Sequence, residues 1–339
     1  MKAIVYSSTG STDVLELVER DIPQPGPGEV RVRIVVSGVN PTDWKSRSGG
    51  QPLGFDEVVP NQDGAGIIDA VGPGVDGLTV GDRVWTLLAA WQRPSGTAQE
   101  FTVVPAERVA PLPDGVSFDV GASLGVPAVT AHRALTTSEH GPSRLHPGAL
   151  DGTTVLVQGG AGAVGHAAIQ LARWAGATVI TTVSSDEKAA LATAAGAHHV
   201  VDYTVGDAAE RIRAIAPSGV DIIVEVAPAA NAELDLAVIA QRGTIAVYAD
   251  NGGGELVLPV RQTFSLNVRY QFLLLYTVGQ AALDAAKLDV AAAAEAGALE
   301  VGAATGLPLH RFALEQTADA HAAVESGITG KVLIDIAPA

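Results

Sequence analysis

Val155-Leu156-Val157-Gln158-Gly159-Gly160-Ala161-Gly162-Ala163-Val164-Gly165 decides the fold of this chain. A short β-branched run passes into glycines and then into the helical pattern of Gly165 to Ala175. Gly160, Gly162 and Gly165 satisfy the spacing G-x-G-x-x-G. Alone, that match is weak in a chain with 38 glycines. Its context makes it specific: a strand precedes it, an amphipathic helix follows, and another strand, Thr178 to Val183, comes about a dozen residues later. In that setting Gly160 permits a tight turn, Gly162 lets a pyrophosphate approach the backbone, and Gly165 lets helix and strand pack closely. The helix N-terminus offers N–H donors and a positive dipole end to phosphates, adding the amides of Ala161, Ala163 and Val164 to the expected site.

Outward from the loop, strands and helices alternate. His199-Val200-Val201, Asp221 to Val224 and Gly243 to Val247 read as buried strands, with Ala-rich helices such as Glu187 to Ala195 between them. This is the pattern of a parallel sheet covered on both faces. The N-terminal part has a different texture. Val30 to Val36, Gly64 to Gly72, Val80 to Trp85 and Phe101 to Val104 are short strand patterns separated by Pro and Gly clusters. Short strands with turn signals between them suit a small barrel or sandwich. Beyond the sheet, Val278 to Ala296 and Leu314 to Ser326 read as helices. Lys331 to Ile336 reads as a closing strand that returns to the β-rich part.

Composition bounds the function. The 339 residues suggest two domains at about 100–200 residues each. With no cysteine, disulfides, thiolate metal sites and a cysteine nucleophile are excluded. A net charge of −16 argues against nucleic acid and anionic membranes as partners. No apolar run approaches the roughly 20 residues that span a bilayer. Met1 to Ser7 is too short an apolar run for a signal peptide and reads as a strand, so the expected location is cytoplasmic.

The end of the strand Thr178 to Val183 selects the dinucleotide. An NAD site places a carboxylate there, about 20 residues past the loop, for the ribose 2′-hydroxyl. This chain has Ser184 and Ser185, with Lys188 one helical turn further on. Hydroxyls and an ammonium suit a 2′-phosphate, so NADPH is the expected cofactor. Asp186 and Glu187 suit the N-terminus of the following helix.

Further segments fall into one pattern: Pro25 to Val30, Val39-Asn40-Pro41-Thr42-Asp43-Trp44-Lys45, Gly64 to Ile67, Val80 to Val84, Ala320-His321 and Gly330-Lys331-Val332. With the glycine loop, these make the chain resemble the zinc-independent quinone oxidoreductase (zeta-crystallin-like) branch of the medium-chain dehydrogenase/reductase superfamily. The resemblance implies an α/β architecture: a GroES-like β-barrel substrate domain and a Rossmann doubly wound parallel-sheet cofactor domain. The implied limits are 1–124 and 277–339 for the first and 125–276 for the second, with the active site in the cleft between them. It also implies a homodimer, formed through the apolar run Leu266 to Leu275. An internal buried strand is the other reading of that run.

The resemblance places Asn40, Gln62 and Val126 where zinc-dependent relatives carry Cys, His and Cys. Val cannot bind zinc and neutral amides are poor ligands for it, so no metal is expected. Without a metal, the expected reaction is hydride transfer from NADPH to a quinone, or to an enone or other α,β-unsaturated carbonyl, whose oxyanion needs hydrogen-bond donors. Asn40, Asp43 and Lys45 are the candidate catalytic residues, and Trp44, Phe55, Trp85 and Trp91 the candidate pocket walls. Asp43 and Lys45 as a mutual ion pair is the plainer alternative. Carried over position by position, Thr130, Tyr203, Tyr248, Phe272 and Lys331 join the glycine loop and Ser184, Ser185 and Lys188 at the cofactor. Glu225-Val226-Ala227-Pro228 departs from the family's Asp-x-x-Gly, and Pro lacks an N–H. A non-catalytic NADPH-binding protein on the same fold is the competing function.

Overall fold

The computed structural model describes residues 1–50 and 53–338. The chain divides into two compact units, Met1–Val126 with Pro308–Ala339, and Pro127–Leu307. In the first lie β1 (Lys2–Val5), β2 (Glu16–Glu19), β3 (Glu29–Val39), α1 (Pro41–Arg47), β4 (Asp63–Val71), β5 (Arg83–Thr86), β6 (Phe101–Pro105), β7 (Val109–Pro111) and α2 (Phe118–Ser123). In the second lie α3 (Val129–Leu135), β8 (Thr154–Gln158), α4 (Ala163–Trp174), β9 (Thr178–Val183), α5 (Asp186–Ala194), β10 (His199–Asp202), α6 (Ala208–Ile215), β11 (Val220–Glu225), α7 (Pro228–Val238), β12 (Ile239–Val247), α8 (Val260–Ser265), β13 (Arg269–Phe272) and α9 (Gln280–Glu295). The chain then returns to the first unit as β14 (Leu309–Ala313), α10 (Thr317–Glu325) and β15 (Lys331–Asp335).

The second unit is a six-stranded parallel sheet in the order β10-β9-β8-β11-β12-β13. The order reverses direction between β8 and β11, which puts the C-terminal ends of those strands at a switch point where such sheets bind ligands. Leu156, Ile180, Ile223 and Ile245 are fully buried in this sheet. Each contributes about 1.5–3 kcal/mol by leaving water, which explains the near-continuous apolar strands. In the first unit, β3 is the organising strand. Its eleven residues pair with β4, β6 and β15, and β15 returns to this sheet as expected from the sequence, lying between β14 and β3.

The expected boundary at 276/277 needs correction, because residues 277–307 belong to the parallel-sheet unit. Helix α9 packs on α3 and α4. Its buried Asp289 accepts from the His132 ring (2.8 Å), the Arg144 guanidinium (2.7 Å to Nε) and the Leu145 amide (2.7 Å). The same contacts account for the long segment 138–152, whose Leu145 and Leu150 are buried. Among the described residues, no helix is long and apolar enough to cross a membrane.

Candidate active site

In the parallel-sheet unit, β8 runs into the glycine loop and α4 begins at Ala163, with Gly162 as its N-cap. One expectation shifts by a residue. The left-handed turn falls on Gly159 (φ +70°), not on Gly160. Gly160 is needed for space instead: a Cβ there would lie 2.1 Å from Thr181 Oγ1. A Cβ on Gly165 would lie 2.4 Å from the Gly159 carbonyl oxygen, which is the close helix–strand packing read from the sequence. Gly162 is exposed, and its added Cβ would meet only the Gly159 oxygen, at 3.5 Å. The loop is thus tight on its sheet side and open on its solvent side. The amides of Ala163, Val164 and Gly165 have no carbonyl one turn earlier in the helix, so they are free to serve an anion. Ala161 is buried within the turn.

Ser184, Ser185 and Lys188 come together at the C-terminal end of β9. Ser185 caps α5, its Oγ accepting from the Lys188 amide (3.3 Å). Lys188 Nζ donates to Ser184 Oγ (3.0 Å). Asp186 and Glu187 are exposed in the first turn of α5, where their charges favour the helix dipole. The Tyr203 amide donates to the Val183 carbonyl (3.1 Å), which sets this half-exposed tyrosine next to the end of β9. Tyr248 follows β12, its amide donating to the Glu225 carbonyl (3.0 Å). Burial and the Glu225 charge push its hydroxyl pKa up. Phe272 ends the edge strand β13 and is 60% exposed. Thr130 is buried on α3, which packs on β11 and β12. Pro228 opens α7, where its missing N–H is no loss, and the Glu225 carboxylate accepts from the Ala227 amide in that loop.

In the barrel unit, the Asn40 to Lys45 segment is not a loop but the start of α1. Asn40 caps it, and the Asp43 carboxylate accepts from the Asn40 amide (2.7 Å) and from the Gln62 amide (3.1 Å). Asn40 Nδ2 donates to Asp63 Oδ2 (2.7 Å), and Asn40 Oδ1 accepts from Lys331 Nζ (2.7 Å). The Val126 amide donates to both Asp63 oxygens (2.9 Å each), and Lys331 Nζ lies 3.8 Å from Asp63. The side chains of Asn40, Asp43, Asp63 and Lys331 are buried. Two glycines make room for them: a Cβ on Gly125 would lie 2.1 Å from Asp63 Oδ1, and one on Gly38 3.2 Å from Lys331 Nζ. Burial, then the Asp63 charge, pushes the Asp43 pKa up to about 7. Burial also raises Asp63, against the pull of Lys331 and Asn40. Burial lowers the Lys331 pKa, with Asp63 and Asp43 opposing.

Lys331, expected beside the cofactor, therefore spends its ammonium inside the barrel unit on Asn40 and on the Val39 carbonyl (3.3 Å). Lys45 is exposed, with Nζ 5.9 Å from the Trp44 ring centroid, while Asp43 is buried, so the two do not form the pair considered from the sequence. A cavity of about 260 Å³ in the same unit is lined by Tyr6, Asp43, Phe55, Asn61, Gln62 and Trp91 among others. Of the expected walls, Phe55 and Trp91 lie on it, whereas Trp85 is fully buried in the core. Tyr6 was not legible as a site residue, because it sits in the first strand pattern of the chain. Asp63 had one signal, its place after Gln62, at the pair of positions where zinc-dependent relatives carry His-Glu.

Two family models match the chain: alcohol dehydrogenase GroES-like domain over residues 26–114, and zinc-binding dehydrogenase over residues 163–290. A 2-haloacrylate reductase of a Burkholderia species is 32% identical over 325 residues, covering 92% of this chain and 93% of that protein. A quinone oxidoreductase of Pongo abelii is 30% identical over 346 residues, covering 98% of this chain and 97% of its own length. The solved structure of mycobacterial Rv1454c complexed with NADPH superposes with a TM-score of 0.81 at 32% identity, over 98% of this chain and 99% of that one. With both units matched and the relatives aligned almost end to end, the chain belongs to the medium-chain dehydrogenase/reductase superfamily, in its quinone oxidoreductase branch.

Proposed function

We propose that this oxidoreductase is an NADPH-dependent, zinc-free reductase that delivers hydride to a quinone. The observation that carries the reading is the open glycine loop followed by Ser184, Ser185 and Lys188, with two hydroxyls and an ammonium at the strand end in place of a carboxylate. That donor set fits a 2′-phosphate, and the α4 amides fit the pyrophosphate. The NADPH in the mycobacterial relative supports the same choice. When bound, NADPH supplies the hydride. The protein's part is to hold it, to orient the electrophile and to stabilise the oxyanion.

In the barrel unit, Tyr6 on the cavity wall is the donor suited to that oxyanion. Burial, then the Asp43 charge, pushes its hydroxyl pKa up to about 12, so it keeps its proton at neutral pH. Asn40 is a positioning group, both ends of its amide being committed to Asp63 and Lys331. Zinc does not fit these residues. The amide oxygen that would have to face a metal accepts instead from the Lys331 ammonium, and Val126 offers only its backbone amide, already given to Asp63. A metal cation there would meet the charge of Lys331.

The 2-haloacrylate reductase relative favours a second reading, in which the electrophile is an α,β-unsaturated carbonyl and the enolate takes a proton at carbon. Asp43, also on the cavity wall, has the raised pKa that role needs. We further infer a homodimer formed along β13, the edge strand of its sheet, because Phe272 and Leu274 at its end are 60% and 53% exposed. The deciding experiment measures NADPH oxidation with quinone and enone panels, with and without a chelator. Turnover of quinones that survives chelation supports the proposal. Loss of activity on chelation sinks the zinc-free reading, and turnover of enones alone moves the substrate to the second. Binding of NADPH with no turnover on either panel would make the protein a binder.

A further inference from the structure

A buried hydrogen-bonded chain links the glycine loop to two carboxyl groups that hydride transfer does not use. The Gly159 amide donates to Thr182 Oγ1 (3.3 Å), and the Thr182 hydroxyl donates to Gln158 Oε1. Gln158 Nε2 donates to Asp235 Oδ1 (2.9 Å). Asp235 is hydrogen-bonded in turn to Glu225. Glu225 also accepts from the Ala227 amide and from Asn231 Nδ2 (3.0 Å). Thr182, Gln158, Asp235 and Glu225 are all at least 98% buried. Apolar side chains make up most of the buried interior of this sheet, so a polar chain here carries a stability cost unless its members are satisfied.

A hydrogen bond between two carboxyl groups requires a proton between them. Glu225 accepts from two N–H groups besides Asp235, so it is the charged partner, and Asp235 is the O–H donor. We propose that Asp235 and Glu225 share one proton and act as positioning residues for the glycine loop, so that this proton sets how tightly the nucleotide is held. The proposal rests on the nucleotide reading of that loop. With the proton in place, each link from the Gly159 amide to Glu225 has a donor and an acceptor, and the left-handed turn at Gly159 is held from within the sheet. With the proton lost, two negative charges face each other in an apolar interior and the chain opens from its far end.

The surroundings agree. Burial, then the Glu225 charge, holds the Asp235 carboxyl well above the ordinary carboxylate range. From β13, the Tyr270 hydroxyl faces both carboxyls, and Tyr248 after β12 faces Glu225. Both hydroxyls have raised pKa values, so neither competes for the proton. From α6, Arg213 donates to the Ala237 and Ile239 carbonyls. From α3, which packs on β11, His132 is paired with Asp289. Among the described residues no partner of Asp235 or Glu225 is a cation, which leaves the proton as the counter-charge.

The sign follows: a carboxyl whose pKa is raised by folding loses its contribution as pH rises through that value. The test is a titration of NADPH binding from neutral into alkaline pH, for wild type, Asp235→Asn and Asp235→Leu. Wild-type affinity is expected to fall by about tenfold or more once the shared proton is lost. Asp235→Asn, whose amide both donates and accepts without titrating, is expected to bind at neutral pH and to lack this fall. Asp235→Leu is expected to bind about tenfold more weakly at neutral pH. Hydrogen exchange of the Gly159–Val164 segment in the nucleotide-free protein is the companion readout, because it needs neither ligand nor turnover. Faster alkaline exchange in wild type than in Asp235→Asn is expected. An alkaline loss of affinity equal in wild type and Asp235→Asn, wild-type affinity in Asp235→Leu, or equal exchange in both proteins overturns the proposal. Failure of wild type to bind NADPH at any pH overturns the nucleotide reading instead, and the exchange comparison then judges the shared proton alone.

Discussion

Lys331 and Lys188 were both expected at the cofactor, and the structure uses their ammonium groups in opposite ways. Lys331 is 1% exposed and sits among Asn40, the Val39 carbonyl and Asp63. Lys188 is half-buried at the end of β9, and the contact of its Nζ is one serine hydroxyl. The difference lies in what surrounds each charge. A buried ammonium facing two carboxylates is an internal counter-ion, and its removal is felt by the fold. An ammonium with donors to spare at a strand end is available to a phosphate, and its removal is felt by the ligand.

The largest effect that would break this comparison is on Lys331. In Lys331→Met, Asp63 and Asp43 lose the cation that offsets them while remaining buried. Removing one partner of a buried ion pair destabilises a protein by about 3–5 kcal/mol. Denaturant unfolding at neutral pH should show a loss of that order, with a lower midpoint and an unchanged slope. The same change at position 188 should leave the midpoint almost where it was. A Lys331→Met protein as stable as wild type would mean that the cluster is not held by this ammonium.

The next effect belongs to Lys188. In Lys188→Glu, a negative charge replaces the ammonium beside Ser184. NADPH affinity should fall by about ten- to a hundredfold, while NADH affinity changes little. Fluorescence titration with the two nucleotides reads the ratio directly. Equal losses for both would show that Lys188 supports the loop generally rather than the 2′-phosphate.

What the sequence disclosed follows the same division between local and distant causes. The strand Thr178–Val183 was legible to its end residues, because a β-branched run bounded by serines is a local pattern. The trio Ser184, Ser185 and Lys188 was legible for the same reason, since its members lie within one turn of a helix start. The barrel cluster was only half legible. Asn40 and Lys331 are 291 residues apart, and nothing in either neighbourhood states that they meet. Likewise, the domain boundary was misplaced because α9 is tied to α3 and to residues 144–145 through one aspartate, Asp289. The one-residue shift of the turn to Gly159 has a similar origin. A Gly-Gly pair does not say which member takes the positive φ, and here Thr181 beneath Gly160 decides it.

The smallest effect sharpens the comparison, because it asks how complete the counter-charge of Lys331 is. One ammonium faces two buried carboxylates, so at neutral pH the cluster is short of one positive charge. The pKa of Asp43, raised from 3.8 to about 7 by burial and by the Asp63 charge, expresses that shortage. A carboxyl raised on folding contributes stability that is fully present below its unfolded pKa and is lost as pH rises through its folded one. Wild type should therefore lose stability between pH 6 and pH 8, by about 1 kcal/mol. Asp43→Asn removes the titrating group but keeps an amide oxygen to cap α1. Its unfolding midpoint should vary less over that interval, while the slope due to Asp63, centred near its own raised pKa of about 6, persists at lower pH. Chemical unfolding at pH 5, 6, 7 and 8 separates the two curves. Parallel curves would show that Lys331 already balances both carboxylates, and the barrel lysine would then be as fully paired as the contrast with Lys188 allows.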